Sequence, residues 1–277
     1  MTAKVGFCEK IATMKEIQAD MRLRRVSTDR FSAHVHPGWN ISSNPNGGFL
    51  LSMVMESMLE CSTHHDPLSV TTHFLRPGIA GADCEIQVDL LREGRTLSTV
   101  RGRLLQDDRV RLEVLAVLGN LGEPAGIEEE IAIPPAVVPD VEHCVPRSGE
   151  LQDIELPFAE KVDVRLHPDQ LPGSSQRAEV SGWVRLADGS VPDPTGLLLF
   201  ADAFPPAVFT RLGKVGWVPT IELTVHVRKR PTPGWIRAQF NCEDLSGGRM
   251  IETGCLWDSS GQLVAQSRQL GLVMKAD

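Results

Sequence analysis

Asp202 is the residue of this chain whose surroundings are least typical of its type. It stands within the run LLLFADAFPP, where apolar residues flank the carboxyl group on every face of a predicted helix. An ionised carboxylate in such a place needs hydrogen-bond donors, or its pKa must rise. Buried carboxylates of this kind often serve as bases or nucleophiles, so we predict a catalytic role for Asp202. A solvated or helix-capping aspartate is the structural alternative, which the apolar neighbours disfavour.

Gln269 is a second polar residue on a predicted core face. Aligning the last two hairpins of the chain's two similar halves places it opposite Ala116, in a strand whose core face holds apolar residues: Val110, Leu112, Val114 and Leu118. A buried amide must have hydrogen-bond partners. A held water and a backbone group satisfy it equally well, so the residue alone leaves both interpretations open.

A pair of glycines opens the most apolar segment of the first half. Asn46, Gly47 and Gly48 precede a predicted helix from Phe49 to about Leu59, and Asn46 can cap it. The free N–H groups and the dipole of a helix N-terminus favour developing negative charge, which would suit an oxyanion. Close packing of another backbone against the glycines is an equally good explanation.

The elements that must position these residues occur twice. Asn44-Pro45-Asn46-Gly47-Gly48 opens the first apolar helix, and the strand after it ends at Arg76-Pro77. Asp193-Pro194-Thr195-Gly196 opens LLLFADAFPPAVF about 150 positions later, and the next strand ends at Arg230-Pro231. Repetition on that scale indicates two fused copies of one small fold.

The copies predict an α+β fold with three regions. Residues 1–120 form the first repeat, with a polar lead-in over 1–30, and residues 121–157 form a Pro-rich acidic linker across the surface. Residues 158–277 form the second repeat. Strands are predicted at 31–35, 84–91, 95–105, 109–118, 161–167, 178–186, 220–230, 235–245, 249–258 and 262–274.

Composition excludes several classes of function. A net charge of -8 over 277 residues disfavours a nucleic-acid binder. No stretch is long enough to span a membrane, and charges throughout residues 1–30 argue against a signal peptide. The six cysteines lack metal or disulfide spacing, and His64-His65-Asp66 lacks further ligands, so we expect a cytoplasmic protein without a metal site. The absence of G-x-S-x-G disfavours an α/β-hydrolase.

The chain resembles the acyl-CoA thioesterase II type of double-hotdog thioesterase from about residue 30 to its C-terminus. The segments that carry the resemblance are Asn46-Gly47-Gly48, Phe74-Leu75-Arg76-Pro77-Gly78, Ala201-Asp202, Pro219-Thr220-Ile221-Glu222-Leu223-Thr224 and Ser267-Arg268-Gln269. The resemblance implies a double hotdog, in which each repeat is an antiparallel sheet wrapped around one long helix.

The resemblance also implies that Asp202, Thr220 and Gln269 position a water molecule. The role of Thr220 rests on the resemblance alone, because strand alternation places it on the polar side, away from the core. The stretch from this Thr to Arg-Pro has one extra residue, and Glu222-Leu223 replaces the usual Asp-His. These departures leave the catalytic residues in place and alter their neighbours.

The expected reaction is therefore hydrolysis of acyl-CoA in fatty acid metabolism, with coenzyme A as part of the substrate and no cofactor. One composite site would join Asp202, Thr220 and Gln269 to the helix mouth Asn46-Gly47-Gly48. We expect the coenzyme A phosphates at Arg76, Arg228 and Arg230, and the acyl chain beside Met53 and Met55.

Two other functions remain open at this stage. One is a non-catalytic acyl-CoA or acyl-carrier binding protein. The other is a hotdog hydratase or dehydratase, for which His226 is the nearest histidine to the predicted site residues. The resemblance further implies a homodimer or a higher homo-oligomer.

Overall fold

The computed structural model describes residues 15–123, 126, 127, 129–131 and 133–274. Its first half contains α1 (Lys15–Met21), β1 (Arg24–Arg25), β2 (Arg30–His34), β3 (Asn40–Ile41), β4 (Asn44–Pro45), α2 (Gly47–Leu59), β5 (Asp66–Phe74), β6 (Asp83–Glu93), β7 (Ser98–Gln106) and β8 (Arg109–Gly119). Its second half contains β9 (Val145–Pro146), α3 (Gly149–Gln152), β10 (Val162–Leu166), β11 (Glu179–Leu186), α4 (Pro194–Phe200), α5 (Val208–Leu212), β12 (Thr220–Val227), β13 (Ile236–Ser246), β14 (Arg249–Trp257) and β15 (Leu263–Leu272).

Within the described ranges, thirteen strands form one antiparallel sheet in the order β1-β2-β6-β7-β8-β5-β12-β15-β14-β13-β11-β10-β9. The two halves meet where β5 pairs with β12, in a register that places His73 opposite Glu222 and Ser69 opposite His226. Each half wraps its part of the sheet around a buried helix. The predicted double hotdog is confirmed.

Helix α2 is buried on nearly all of its surface because its sequence is almost wholly apolar. The Asn46 side chain caps it by accepting the Phe49 N–H at 2.9 Å. Its start packs against α4 so closely that a Cβ atom on Gly48 would lie 2.9 Å from the backbone of Leu199. Glycine at this position therefore permits the close approach of the two central helices.

Helix α4 is much shorter than α2, and this corrects the prediction that Asp202 lies inside a helix. The last helical residue is Phe200, and Asp202 lies in the turn that follows. Pro205 explains the difference, because a proline in the helix would clash with the carbonyl group four residues earlier.

Residues 15–30 are not the polar lead-in that the sequence predicted. They form α1 and β1, and Ile17 and Met21 are buried in the core. The prediction for residues 1–14 lies outside the described part of the chain. Part of the segment predicted as a linker also has regular structure, since β9 pairs with β10 at the edge of the second half.

Candidate active site

A cavity of about 680 Å³ lies between the two halves, at the N-terminal end of α2. Its lining includes Asn46 and Gly47 from the first half and Asp202, Thr220 and Gln269 from the second. The structure thus brings the helix mouth and the three residues predicted to be catalytic to the same cavity, although they are far apart in sequence.

The Asp202 carboxylate is bound by the mouth of α2. Its Oδ2 atom accepts the Gly48 N–H at 2.9 Å and the Asn46 side-chain N–H at 3.0 Å. Asn46 also donates to the Asp202 backbone carbonyl at 2.9 Å, so it holds both the side chain and the backbone of this residue. The predicted helix mouth is therefore engaged by a carboxylate of the protein, and the Gly48 N–H is not free for a substrate oxyanion.

Burial raises the pKa of Asp202 to about 6, against the opposing effects of the Gly48 N–H, the Arg147 charge, the Asn46 amide and the Gly47 N–H. Desolvation disfavours the charged form, whereas these donors and the cation favour it. A carboxyl group with this pKa is ionised near neutral pH yet basic enough to accept a proton. This balance suits a general base.

Thr220 lies at the start of β12, beside a β-bulge. Its partner across the ladder is Gly271, the next pair is Glu222 with Leu270, and Ile221 is the extra residue between them. Bulges change the direction of side chains near functional sites. The bulge reverses the strand alternation here, so Thr220 lines the cavity although alternation placed it on the other side.

Gln269 lies on the core face of β15, as the alignment of the two halves predicted. It is 8% exposed and lines the cavity. Its side-chain amide makes no hydrogen bond to the described residues. A nearly buried amide in this state is expected to bind water or a ligand within the cavity.

Two buried charged residues of the cavity were missed by sequence reasoning, Arg147 and Glu252. Arg147 follows β9, and its guanidinium donates to the Ala203 carbonyl and to Gln152 Oε1. Burial lowers the pKa of Arg147 to about 10, although the Asp202 charge opposes that change. The surrounding segment was predicted as a surface linker, so no pattern in it marked this residue.

Glu252 lies in β14, opposite Gln269 in the neighbouring strand. It is 6% exposed, and its Oε2 atom accepts the Ala207 N–H at 2.6 Å. Burial raises its pKa to about 7, the Asp202 charge adds to the increase, and the Ala207 N–H opposes it. Alternation with Met250 and Gly254, which are buried, was a signal that could have found this residue.

The structure does not bring the predicted phosphate-binding arginines together. Arg76 lines the cavity, but Arg228 and Arg230 lie beyond the other end of β12. The cause is the antiparallel pairing of β5 with β12, which puts the C-terminal ends of the two strands on opposite sides of the sheet. Arg230 instead forms a 2.6 Å ion pair with Asp66.

The predicted acyl-chain residues also lie elsewhere. Met53 and Met55 are fully buried in the core and do not line the cavity. Its apolar lining comes from another group of residues, among them Leu50, Phe74, Phe204, Phe209 and Trp217.

The weak metal motif His64-His65-Asp66 does not converge on one point. His64 Nδ1 lies 2.8 Å from Ser98 Oγ, and Asp66 Oδ2 accepts the Leu121 N–H. The described residues contain no group of three or more His, Cys, Asp or Glu side chains that could hold a metal ion.

Comparison with protein families identifies the chain's relatives. The model of the acyl-CoA thioesterase N-terminal domain matches residues 35–119, and that of the acyl-CoA thioesterase C-terminal domain matches residues 139–273. The chain belongs to the acyl-CoA thioesterase family. These two matches bear out the resemblance seen in the sequence.

Similar proteins agree with this membership. A structure from Thermobifida fusca, assigned as a thioesterase II, is 33% identical with a TM-score of 0.84, over 94% of this chain and 98% of that one. An acyl-CoA thioesterase II from Mycobacterium marinum shares the fold at 21% identity and a TM-score of 0.73, over 94% and 99% of the two chains. An uncharacterised protein of Mycobacterium tuberculosis is 23% identical, over 88% of this thioesterase family member and 90% of that protein.

In the ranges that the structure describes, no helix is both long enough and apolar enough to cross a membrane.

Proposed function

We propose that this protein hydrolyses acyl-CoA thioesters in the cavity between its halves, with Asp202 as the general base. The observation that carries the proposal is the Asp202 carboxylate, held by Gly48 and Asn46 at the mouth of α2, in a cavity shared with Thr220 and Gln269. A base and polar groups that hold a water beside it are among the features that thioester hydrolysis requires.

In the proposed reaction, the Thr220 hydroxyl and the Gln269 amide hold a water beside Asp202. The water oxygen attacks the thioester carbonyl carbon as Asp202 takes its proton, and the C–S bond then breaks. The α2 mouth acts through Asp202, because its N–H groups and the helix dipole favour the ionised carboxylate. Direct attack by Asp202 on the carbonyl carbon is the other route open to the same carboxylate.

The substrate would lie with its reacting carbonyl beside Asp202. The apolar side chains of Leu50, Phe74 and Phe204 offer a surface for the acyl chain. Arg76 and Lys214 line the same cavity and offer positive charge for coenzyme A phosphates. Pairing of two copies through their sheets stays a prediction.

Nothing in the described structure favours the other two functions. His226 is exposed on β12 and pairs with Ser69, at the end of the strand far from Thr220. It does not line the cavity, so the acid–base pair of a hydratase lacks its histidine. The Asp202 carboxylate, half-buried in the cavity with a raised pKa, favours catalysis over binding without turnover, because binding alone does not require a base there.

The test is a thiol-release assay with short, medium, long and aromatic acyl-CoAs. We expect turnover by the native protein and a loss of about 10³-fold in Asp202→Asn, because the amide cannot take a proton. Asp66→Asn is the matched control, since it also removes a buried carboxylate that accepts a backbone N–H, away from the cavity.

Binding without turnover of any acyl-CoA would support the non-catalytic function instead. Full activity of Asp202→Asn would refute the role of Asp202. A single turnover in ¹⁸O-water tests for direct attack, because hydrolysis of the resulting mixed anhydride at its aspartyl carbon would leave the label in the Asp202 carboxyl group. The general-base route leaves the label in the product acid only.

A further inference from the structure

Glu252 is a buried carboxyl group that the proposed hydrolysis does not yet use. It lies in β14 between Cys242 of β13 and Gln269 of β15. The Ala207 N–H occupies its Oε2 atom, whereas Oε1 makes no hydrogen bond to the described residues. Glu252 and Gln269 thus present neighbouring polar groups without protein partners to one cavity.

The titratable groups around Glu252 come from several elements. Asp202 and Arg147 line the same cavity, and the Cys242 thiol, whose pKa burial raises to about 11, is the cross-strand neighbour. Arg76 and Lys214 are the other ionisable groups of the lining. Burial raises the pKa of both carboxyl groups, and the Asp202 charge raises that of Glu252 further, so ionisation of one carboxyl group favours a proton on the other.

The surroundings decide which carboxyl group holds that proton. Asp202 has the Gly48 N–H, the Asn46 amide and the Arg147 charge to stabilise its anion, whereas Glu252 has one backbone N–H. The pKa values, about 6 for Asp202 and about 7 for Glu252, follow the same order. The pair therefore has a base and an acid, which is the division of roles that proton-transfer catalysis needs.

We propose, building on the hydrolysis assigned above, that Glu252 protonates the coenzyme A sulfur as the thioester bond breaks. The attacking water gives a proton to Asp202, the electron pair of the C–S bond passes to sulfur, and sulfur takes the proton of Glu252. The products are the acid and the free thiol. Transfer of the Asp202 proton to Glu252 then restores both groups, so the cycle consumes nothing besides water.

The proposal is tested by changing the leaving group while keeping the acyl group. An ester of coenzyme A releases a weakly acidic alkyl thiol, whereas an ester of 4-nitrothiophenol releases a far more acidic thiol that needs no proton to depart. We expect Glu252→Gln to lower kcat/KM on the order of 10²-fold for the coenzyme A ester and less than about threefold for the aryl ester. The variant keeps an acceptor for the Ala207 N–H.

Glu243→Gln is the matched control, because it removes a carboxylate from the adjacent strand β13 at an exposed position outside the cavity. It should leave both rates unchanged. Asp202→Asn should lose activity with both esters, since the hydrolysis of each needs the attacking water. Equal losses with the two esters in Glu252→Gln would overturn the acid role and leave the hydrolysis itself standing. Retained activity of Asp202→Asn would instead overturn the proposed function.

Two measurements keep the proposal testable if Glu252→Gln does not fold. In the native protein, proton donation to sulfur predicts a rate nearly independent of the acidity of the leaving thiol, and a strong dependence would overturn the proposal. With ¹³C-labelled glutamate carboxyls, the buried glutamate signal should titrate at lower pH in Asp202→Asn than in the native protein. An unchanged titration would overturn the proposal, because transfer of a proton from Asp202 to Glu252 requires the two carboxyl groups to interact.

Discussion

The Gly48 N–H, from the first half of the chain, donates to Oδ2 of Asp202, from the second half, at 2.9 Å. This bond makes the catalytic candidate dependent on the docking of the two central helices. A Cβ atom on Gly48 would lie 2.9 Å from the Cα and carbonyl oxygen of Leu199, and neither backbone atom can move without shifting α4. Gly48 therefore both permits the two central helices to pack closely and holds the Asp202 carboxylate in place.

Alanine at the two glycines should separate these two effects. Gly48→Ala pushes α4 away, so we expect a loss of about 1–3 kcal/mol in the free energy of unfolding together with a loss of activity. At Gly47 the new methyl group would meet the Phe74 ring at 2.9 Å and Asp202 Oδ2 at 3.0 Å, both of which are side chains. Gly47→Ala should therefore lose activity with a smaller loss of stability. Urea unfolding and thiol release measure the two quantities, and equal loss of stability in both variants would contradict this assignment.

Thr220 provides a second prediction, because the bulge at Ile221 places its hydroxyl in the cavity. Thr220→Ser keeps that hydroxyl and should keep activity within a few-fold. Thr220→Val keeps the shape and removes one hydrogen bond to the water, so kcat should fall about tenfold. Thermal unfolding checks that both variants stay folded. Equal activity of the serine and valine variants would show that the hydroxyl has no part in the reaction.

The third prediction concerns the two arginines that end equivalent strands. Arg76 lines the cavity, so Arg76→Gln should raise KM for acyl-CoA about fivefold, which corresponds to roughly 1 kcal/mol for one exposed ionic contact. Arg230 pairs with the buried Asp66 at the far end of β12, so Arg230→Gln should lower Tm and leave KM unchanged. The reverse pattern would place the phosphates at the other edge of the sheet.

The sequence predicted the helix–strand order because the repeat carries its own turns and apolar helices, and the last two hairpins of each half align by simple alternation. It did not predict that Arg76 and Arg230 lie at opposite ends of the paired strands. The pairing of β5 with β12 is a long-range contact that no local pattern records. Strand alternation alone also failed for Thr220, since a bulge changes the alternation at one residue. The burial of Arg147 could not be predicted from the sequence for a related reason. Its burial depends on the turn after α4, to which its guanidinium donates.

The fourth prediction concerns pH and follows from the charge of Arg147 near Asp202. The base must be ionised and the proposed acid Glu252 must be protonated, so activity should rise with pH through the pKa of Asp202, about 6, and fall above that of Glu252, about 7. Arg147 favours the ionised form, so Arg147→Met should raise the pKa of Asp202 and move this rise to higher pH by roughly half a pH unit or more. Profiles of kcat/KM against pH measure it. A purely structural role of Arg147 would lower the whole profile and leave its midpoint in place.

The last prediction concerns stability and follows from the burial of Glu252. The pKa of this residue rises from 4.5 to about 7 on folding, so between these values the folded chain binds the proton more tightly than the unfolded chain. The contribution of Glu252 to the free energy of unfolding therefore falls as pH rises through this window, and its full penalty applies above about pH 7. Glutamine at 252 cannot ionise and still accepts the Ala207 N–H, so Glu252→Gln should escape this loss. We expect its Tm, measured relative to that of the native protein, to be higher at pH 8 than at pH 5. A difference in Tm that stays constant between these pH values would mean that Glu252 titrates alike in the folded and unfolded chains.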